Sequence, residues 1–244
     1  MGEHVKTFLD AFLAGIVIGI GGVVYLGVEN RIAGSLLFTV GLYAIVLNQF
    51  ALYTGKIGYA LGRPLAYMAE MGVVWFGNLC GTFTTGTLVS FTRLKTARAA
   101  AGICAVKLED SLSGILILAF FCGMLMYIAV DGYKSKGNPV ILFLGVSVFI
   151  LAGFEHCIAN MFYFTVAGVW SLKALVYILV MTLGNSAGGM FIPFIRAKIA
   201  HAVHMQIIAD TTVTGTHIRI ACQNIFCGLI EAQLIKMIRN RPFP

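Results

Sequence analysis

From Pro139 to Val169 runs a long, mostly apolar stretch with no charged side chain besides the adjacent pair Glu155 and His156. A bilayer-crossing helix needs about 20 apolar residues, and this run exceeds that. Only helices and closed barrels satisfy their backbone groups in lipid. Six such runs are read, at 8–28, 33–51, 65–91, 111–131, 139–169 and 172–195. The expected fold is an all-α membrane protein with six transmembrane helices. Composition agrees: 59% of residues are hydrophobic and 11% charged, against about 25% charged in soluble domains. The basic residues behind the net charge of +7 lie between the apolar runs, as juxtamembrane charges do. They call for membrane lipid as a partner and for no nucleic acid. The cysteines are dispersed without a CxxC pair, so neither a zinc site nor a disulfide framework is expected.

An Arg/Lys-bearing stretch from Arg93 to Lys107 divides the chain into two halves. The first half holds Asn48-Gln49 and Tyr53-Thr54-Gly55, then Gly77-Asn78. The second holds Glu155-His156 and Asn160, then Gly184-Asn185. Thr54 precedes Asn78 by 24 positions and Asn160 precedes Asn185 by 25. Three spans per half is an odd number, so the second half enters the membrane from the opposite side. That is the arithmetic of two inverted three-helix repeats, with broken helices in spans two and five. Asn48 onward reads either as such a break or as the end of span two. A break exposes N–H groups and a helix dipole that favour an anion, and Thr54 adds a hydroxyl. Asn78 and Asn185 are helix-break supports, bonding freed backbone across helices. Lys6 and Lys107 each stand near the start of an apolar span, where they either attract an anion or snorkel to the interface.

Intramembrane ionisable residues are functional-site candidates by default. The alternative for Glu155 and His156 is a satisfied pair that fixes packing. Glu155, His156 and Cys157 are neighbours in sequence, and on a helix they point apart. No triad forms from them, and no enzyme is expected. With the N-terminus inside, seven Lys/Arg lie on the inner side before the tail and six on the outer side. Both termini are therefore placed inside, in a cytoplasmic (inner or plasma) membrane.

The segment Gly153-Phe154-Glu155-His156-Cys157-Ile158-Ala159-Asn160-Met161 resembles the signature of the formate/nitrite transporter family, whose members include formate, nitrite and hydrosulfide channels. Leu52-Tyr53-Thr54 and the two Gly-Asn pairs support the resemblance, which covers about residues 5–196. It implies an aquaporin-like homopentamer in which each protomer carries a pore. His156 and Thr54 are then central pore residues, with Asn160 and Glu155 beside them. Phe38, Leu42, Tyr53 and Phe149 fall at apolar constrictions, and Lys6 and Lys107 at two vestibules. No cofactor or metal is implied. The implied function is passage of small monovalent anions (formate, nitrite or hydrosulfide) or their conjugate acids. The alternative is a proton-coupled, alternating-access secondary transporter of a small weak acid. Two departures stand out: Cys122-Gly123 replaces a usual Cys-Asn, and Tyr53 replaces a usual Phe. The expected domains are a transmembrane domain at 1–196 and a tail at 197–244. The tail carries His201, His204 and His217, and an apolar-periodic stretch from Ile218 to Ile238 that reads either as an amphipathic helix on the membrane surface or as a disordered or divergent fused segment.

Overall fold

The computed structural model describes residues 2–213. Every regular element among them is helical: α1 (Glu3–Gly27), α2 (Arg31–Leu47), α3 (Tyr53–Lys56), a 3-10 turn (Ile57–Tyr59), α4 (Leu65–Ser90), α5 (Thr96–Glu109), α6 (Leu112–Lys136), α7 (Val140–Leu151), α8 (Cys157–Ala167) and α9 (Leu172–Val213). Three of these are long and apolar enough to cross a bilayer: α1, α6 and the Leu172–Met205 stretch of α9. Helices α2, α7 and α8 are shorter apolar helices. The 26-residue α4 is long enough to span, but carries Glu70, Asn78 and several threonines. Residues up to Pro193 form one compact unit, and those from Phe194 a second. The amphipathic tail stretch at 218–238, with His217, lies outside the described residues; His201 and His204 are exposed on α9.

In the first unit, α1 packs on α4 and α2, α2 on α7, α7 on α6, and α8 on α4 and α5. The stretch before Lys107, read from sequence as a divider between halves, is the helix α5. The apolar run at 139–169 is two helices, α7 and α8. Glu155 and His156 lie in the connection between them, so the helical spacing invoked for them does not apply.

Both interruptions have the same local chemistry. Helix α2 ends with Gln49 at φ 59, and α7 ends with Gly153 at φ 75. A left-handed residue just past a helix end is the usual way to close it. Phe50 N–H then reaches back to the Ile45 carbonyl, and Phe154 N–H to that of Phe149. Each break thus satisfies the last carbonyls of the helix before it. The next helix starts about four residues later, at Tyr53 or Cys157.

Two buried asparagines hold the restart points. Asn78 Oδ1 accepts the Tyr53 N–H at 2.8 Å, and its Nδ2 donates to the carbonyls of Ala11 and Ala51. Asn185 Oδ1 accepts the Cys157 N–H at 2.9 Å, and its Nδ2 donates to those of Ala119 and Glu155. The residues these asparagines hold are Tyr53 and Cys157, where the spacing in sequence pointed to Thr54 and Asn160. The separations to the asparagines are 25 and 28. These two N–H groups are consumed by the asparagines, so they are not donors for an anion. Gly123 has its own explanation. A Cβ there meets the Asn185 backbone, just as a Cβ at Gly15 meets that of Asn78. An asparagine at Gly123 is excluded by this contact, and the glycine is a close-approach position.

Candidate functional site

His156 is held from three sides. It is the N-cap of α8, its Nδ1 accepting the Ala159 N–H at 3.1 Å. Phe149, from the end of α7, stacks on its ring at 5.6 Å and 14°. Its Nε2 lies 2.8 Å from Thr54 Oγ1, which comes from the other half of the chain. His156 is 2% exposed and Thr54 1%, so these bonds form away from bulk water. The cap fixes the tautomer. A nitrogen that accepts an N–H carries no proton, so the ring proton is on Nε2 and points to Thr54. Thr54 Oγ1 accepts it, which leaves the threonine hydroxyl proton free to donate elsewhere. No acceptor for that proton is recorded among the described residues.

Glu155 faces away from this pair into a short polar network. Its Oε2 pairs with Lys107 Nζ at 2.5 Å and accepts from Asn160 Nδ2 at 2.8 Å. Asn160 also donates to the His156 carbonyl, which ties the network to the break. The ion pair is largely dry, with side-chain exposures of 14% and 4%. A buried pair is stable only when its remaining lone pairs are bonded, and Asn160 supplies that bond. Asn160 Oδ1 is buried without a partner.

A cavity of about 880 Å³ reaches this site. His156, Phe38, Phe149, Glu155, Asn160 and Lys107 line it, together with Arg31, Lys95 and Arg98. The structure therefore brings together seven of the residues singled out in the sequence: His156, Thr54, Glu155, Asn160, Lys107, Phe38 and Phe149. Leu42 is buried in the helix core and is not among the cavity-lining residues. Tyr53 is also buried and outside that lining, with its hydroxyl 2.8 Å from Ser186 Oγ. Lys6 is exposed in the first turn of α1, apart from the cavity lining. No group of three or more His, Cys, Asp or Glu suited to a metal occurs among the described residues.

The formate/nitrite transporter family model matches residues 2–197. The chain belongs to the formate/nitrite transporter family. Formate channel FocB of Escherichia coli (strain K12) is 25% identical over 185 residues, covering 66% of this chain and 66% of FocB. Formate channel FocA of the same organism is 27% identical over 184 residues, covering 64% of each. The matched region is thus just under two thirds of the length of either relative. Among solved structures, a pentameric formate channel with formate bound superposes with a TM-score of 0.71 at 26% identity, covering 82% of this chain and 98% of that one. An ion channel of the same family superposes at 0.68 with 19% identity, covering 77% and 87%, and bears on the fold alone. Membership in the formate/nitrite transporter family, together with the long apolar helices, makes this an integral membrane protein. Its relatives are channels and transporters, not enzymes.

Sequence reasoning missed three basic residues of this formate/nitrite transporter site. Arg31 opens α2, and Lys95 and Arg98 flank the start of α5. The signal was present: Arg98, Gly102 and Val106 recur at four-residue spacing and all line the cavity, as one face of a helix does. His156 as an N-cap was also missed, because histidine is not among the preferred capping residues.

Proposed function

We propose that this protein is a passive channel for small monovalent anions, such as formate, nitrite or hydrosulfide, or for their conjugate acids. The observation that carries the reading is the Thr54–His156 bond, whose imidazole stacks on Phe149 and lines a basic cavity together with Phe38. The basic mouth concentrates anions by focusing the local field. Lys107 neutralises Glu155, so the carboxylate does not repel them. Phe38 and Phe149 then form an apolar constriction. A bare ion loses at least several kcal/mol of solvation there. At that point the free Thr54 hydroxyl proton, backed by His156 Nε2–H, donates to the solute. The proposed passage continues past Leu42 and Tyr53, with Lys6 at a second vestibule.

The matching helix ends and asparagine clamps support an inverted repeat of two three-helix units, with six spans interrupted in the second and fifth. The proposed membrane domain is 1–196, followed by a tail at 197–244. The E. coli relatives are named formate channels and a solved neighbour is a pentameric formate channel, which supports a formate-class anion and a homopentamer here. The proposed setting is the cytoplasmic membrane with both termini inside.

A flux panel in proteoliposomes tests this reading with formate, nitrite, hydrosulfide, acetate and chloride. The anions of small weak acids are expected to pass. Chloride, which has no neutral form near neutral pH, is expected to lag far behind. Equal permeation of chloride would refute the reading.

A further inference from the structure

The cavity above His156 is much larger than a three-atom anion requires. At about 880 Å³ it is in the range of pockets that hold whole organic ligands, roughly 300–1,000 Å³. Its charge is also unbalanced. Arg31, Lys95, Arg98 and Lys107 line it against one carboxylate, Glu155, so four positive charges less one negative leave three in excess. Lys107 is already bound to Glu155. Arg31, Lys95 and Arg98 are exposed, with no acidic partner recorded among the described residues. They come from separate segments, the start of α2 and the start of α5. Passing a monovalent anion needs a positive field, but not three unpaired cations around one chamber.

We propose that this chamber binds a small polyvalent anion, a di- or tricarboxylate or inorganic phosphate, on Arg31, Lys95 and Arg98, and that the bound anion blocks the passage. This deepens the channel reading and rests on it for the block, though not for the binding. Guanidinium groups suit such a ligand because they bond carboxylate and phosphate oxygens in pairs. The floor rejects it. Each extra charge adds its own desolvation cost at the Phe38–Phe149 constriction, so a polyanion that seats at the mouth cannot follow the monovalent solute down.

The test uses the full chain in proteoliposomes. Formate flux is measured with citrate, inorganic phosphate or chloride on the mouth side at matched ionic strength. Binding of citrate to the detergent-solubilised protein is followed separately by calorimetry. Citrate is expected to block more strongly than phosphate, and chloride not at all. Arg31→Gln and Arg98→Gln, each normalised to its own unblocked flux, should weaken the block roughly tenfold, the scale of a charge-assisted contact discounted for solvent. Added salt should weaken it further. Formate flux that ignores citrate, with no heat of binding, overturns the proposal. So does a block that survives in the double variant. Formate flux that phosphatidylglycerol vesicles suppress without any citrate, and that the arginine variants restore, while citrate has no effect in phosphatidylcholine vesicles, gives the site to lipid headgroups and overturns the free ligand. Citrate binding that the arginine variants abolish, in a protein that passes no formate, supports the site and rejects the channel reading instead.

Discussion

At the scale of the residue, His156 does two jobs through its two nitrogens, and they can be separated. Nδ1 caps α8, while Nε2 addresses Thr54. Asparagine is a good N-cap, so His156→Asn should keep the cap and lose the ring and its donor to Thr54. Phenylalanine keeps the ring and loses both bonds. Loss of the cap costs about 1 kcal/mol, so thermal stability should fall for His156→Phe; His156→Asn keeps the cap but falls too, through lost ring packing on Phe149, so flux is the readout that separates the roles. Flux should fall in both, by roughly tenfold or more, as expected when a positioned donor is removed. Wild-type flux in the asparagine variant would reduce His156 to a cap. The anomaly of Glu155 and His156 in an apolar run was legible in the sequence. Their separation into different networks was not, because it depends on the backbone leaving the helix at Ala152 and re-entering at Cys157. The pairing of Glu155 with Lys107 spans 48 positions, and no local pattern encodes it.

At the scale of the element, the two interruptions are stable because each has a closing half and a restarting half. Left-handed Gln49 and Gly153 close α2 and α7; Asn78 and Asn185 receive α3 and α8. Removing one amide strands a buried N–H and takes a donor from two carbonyls, Ala11 and Ala51 for Asn78 or Ala119 and Glu155 for Asn185. At about 1–3 kcal/mol per unsatisfied group, Asn78→Ala and Asn185→Ala should each lose on the order of 2–4 kcal/mol. The measurement is the thermal midpoint of the detergent-solubilised protein. An unchanged midpoint would mean that water or backbone shifts replace the amide. The Gly-Asn pairs were visible in sequence as a repeat, yet the register read from spacing was wrong, since the restart at Cys157 sits 28 positions before its asparagine and Tyr53 sits 25. The helix α5 was missed for a different reason. Its Lys/Arg content marked a divider between the two halves, although Ala97, Ala99, Ala100 and Ala101 are strong helix formers. Hydropathy finds spans, and a polar-faced helix between spans escapes it.

At the scale of the whole molecule, the distribution of charge sets which species the proposed channel would pass. Four cations line the cavity that reaches His156, but one of them, Lys107, is cancelled by its pairing with Glu155. His156 accepts through Nδ1 and therefore offers a single donor and no formal charge beside the Phe149 ring. On the proposed route, an anion leaving the basic cavity would meet two phenyl rings and the Thr54–His156 hydrogen bond, with no counter-charge to replace its water. A neutral acid meets the same wall at far smaller cost. Flux of a weak acid should then follow its neutral fraction, rising roughly tenfold for each pH unit of acidification while the pH stays above the acid's pKa. The sign follows from mass action: lower pH supplies more of the species that crosses. Proteoliposomes with an imposed pH difference and clamped voltage measure this directly. Uptake should increase on the acidic side and respond little to voltage. Flux set by voltage and indifferent to pH would mean that the ion itself passes, and that Thr54 and His156 replace its hydration more completely than two hydrogen bonds account for.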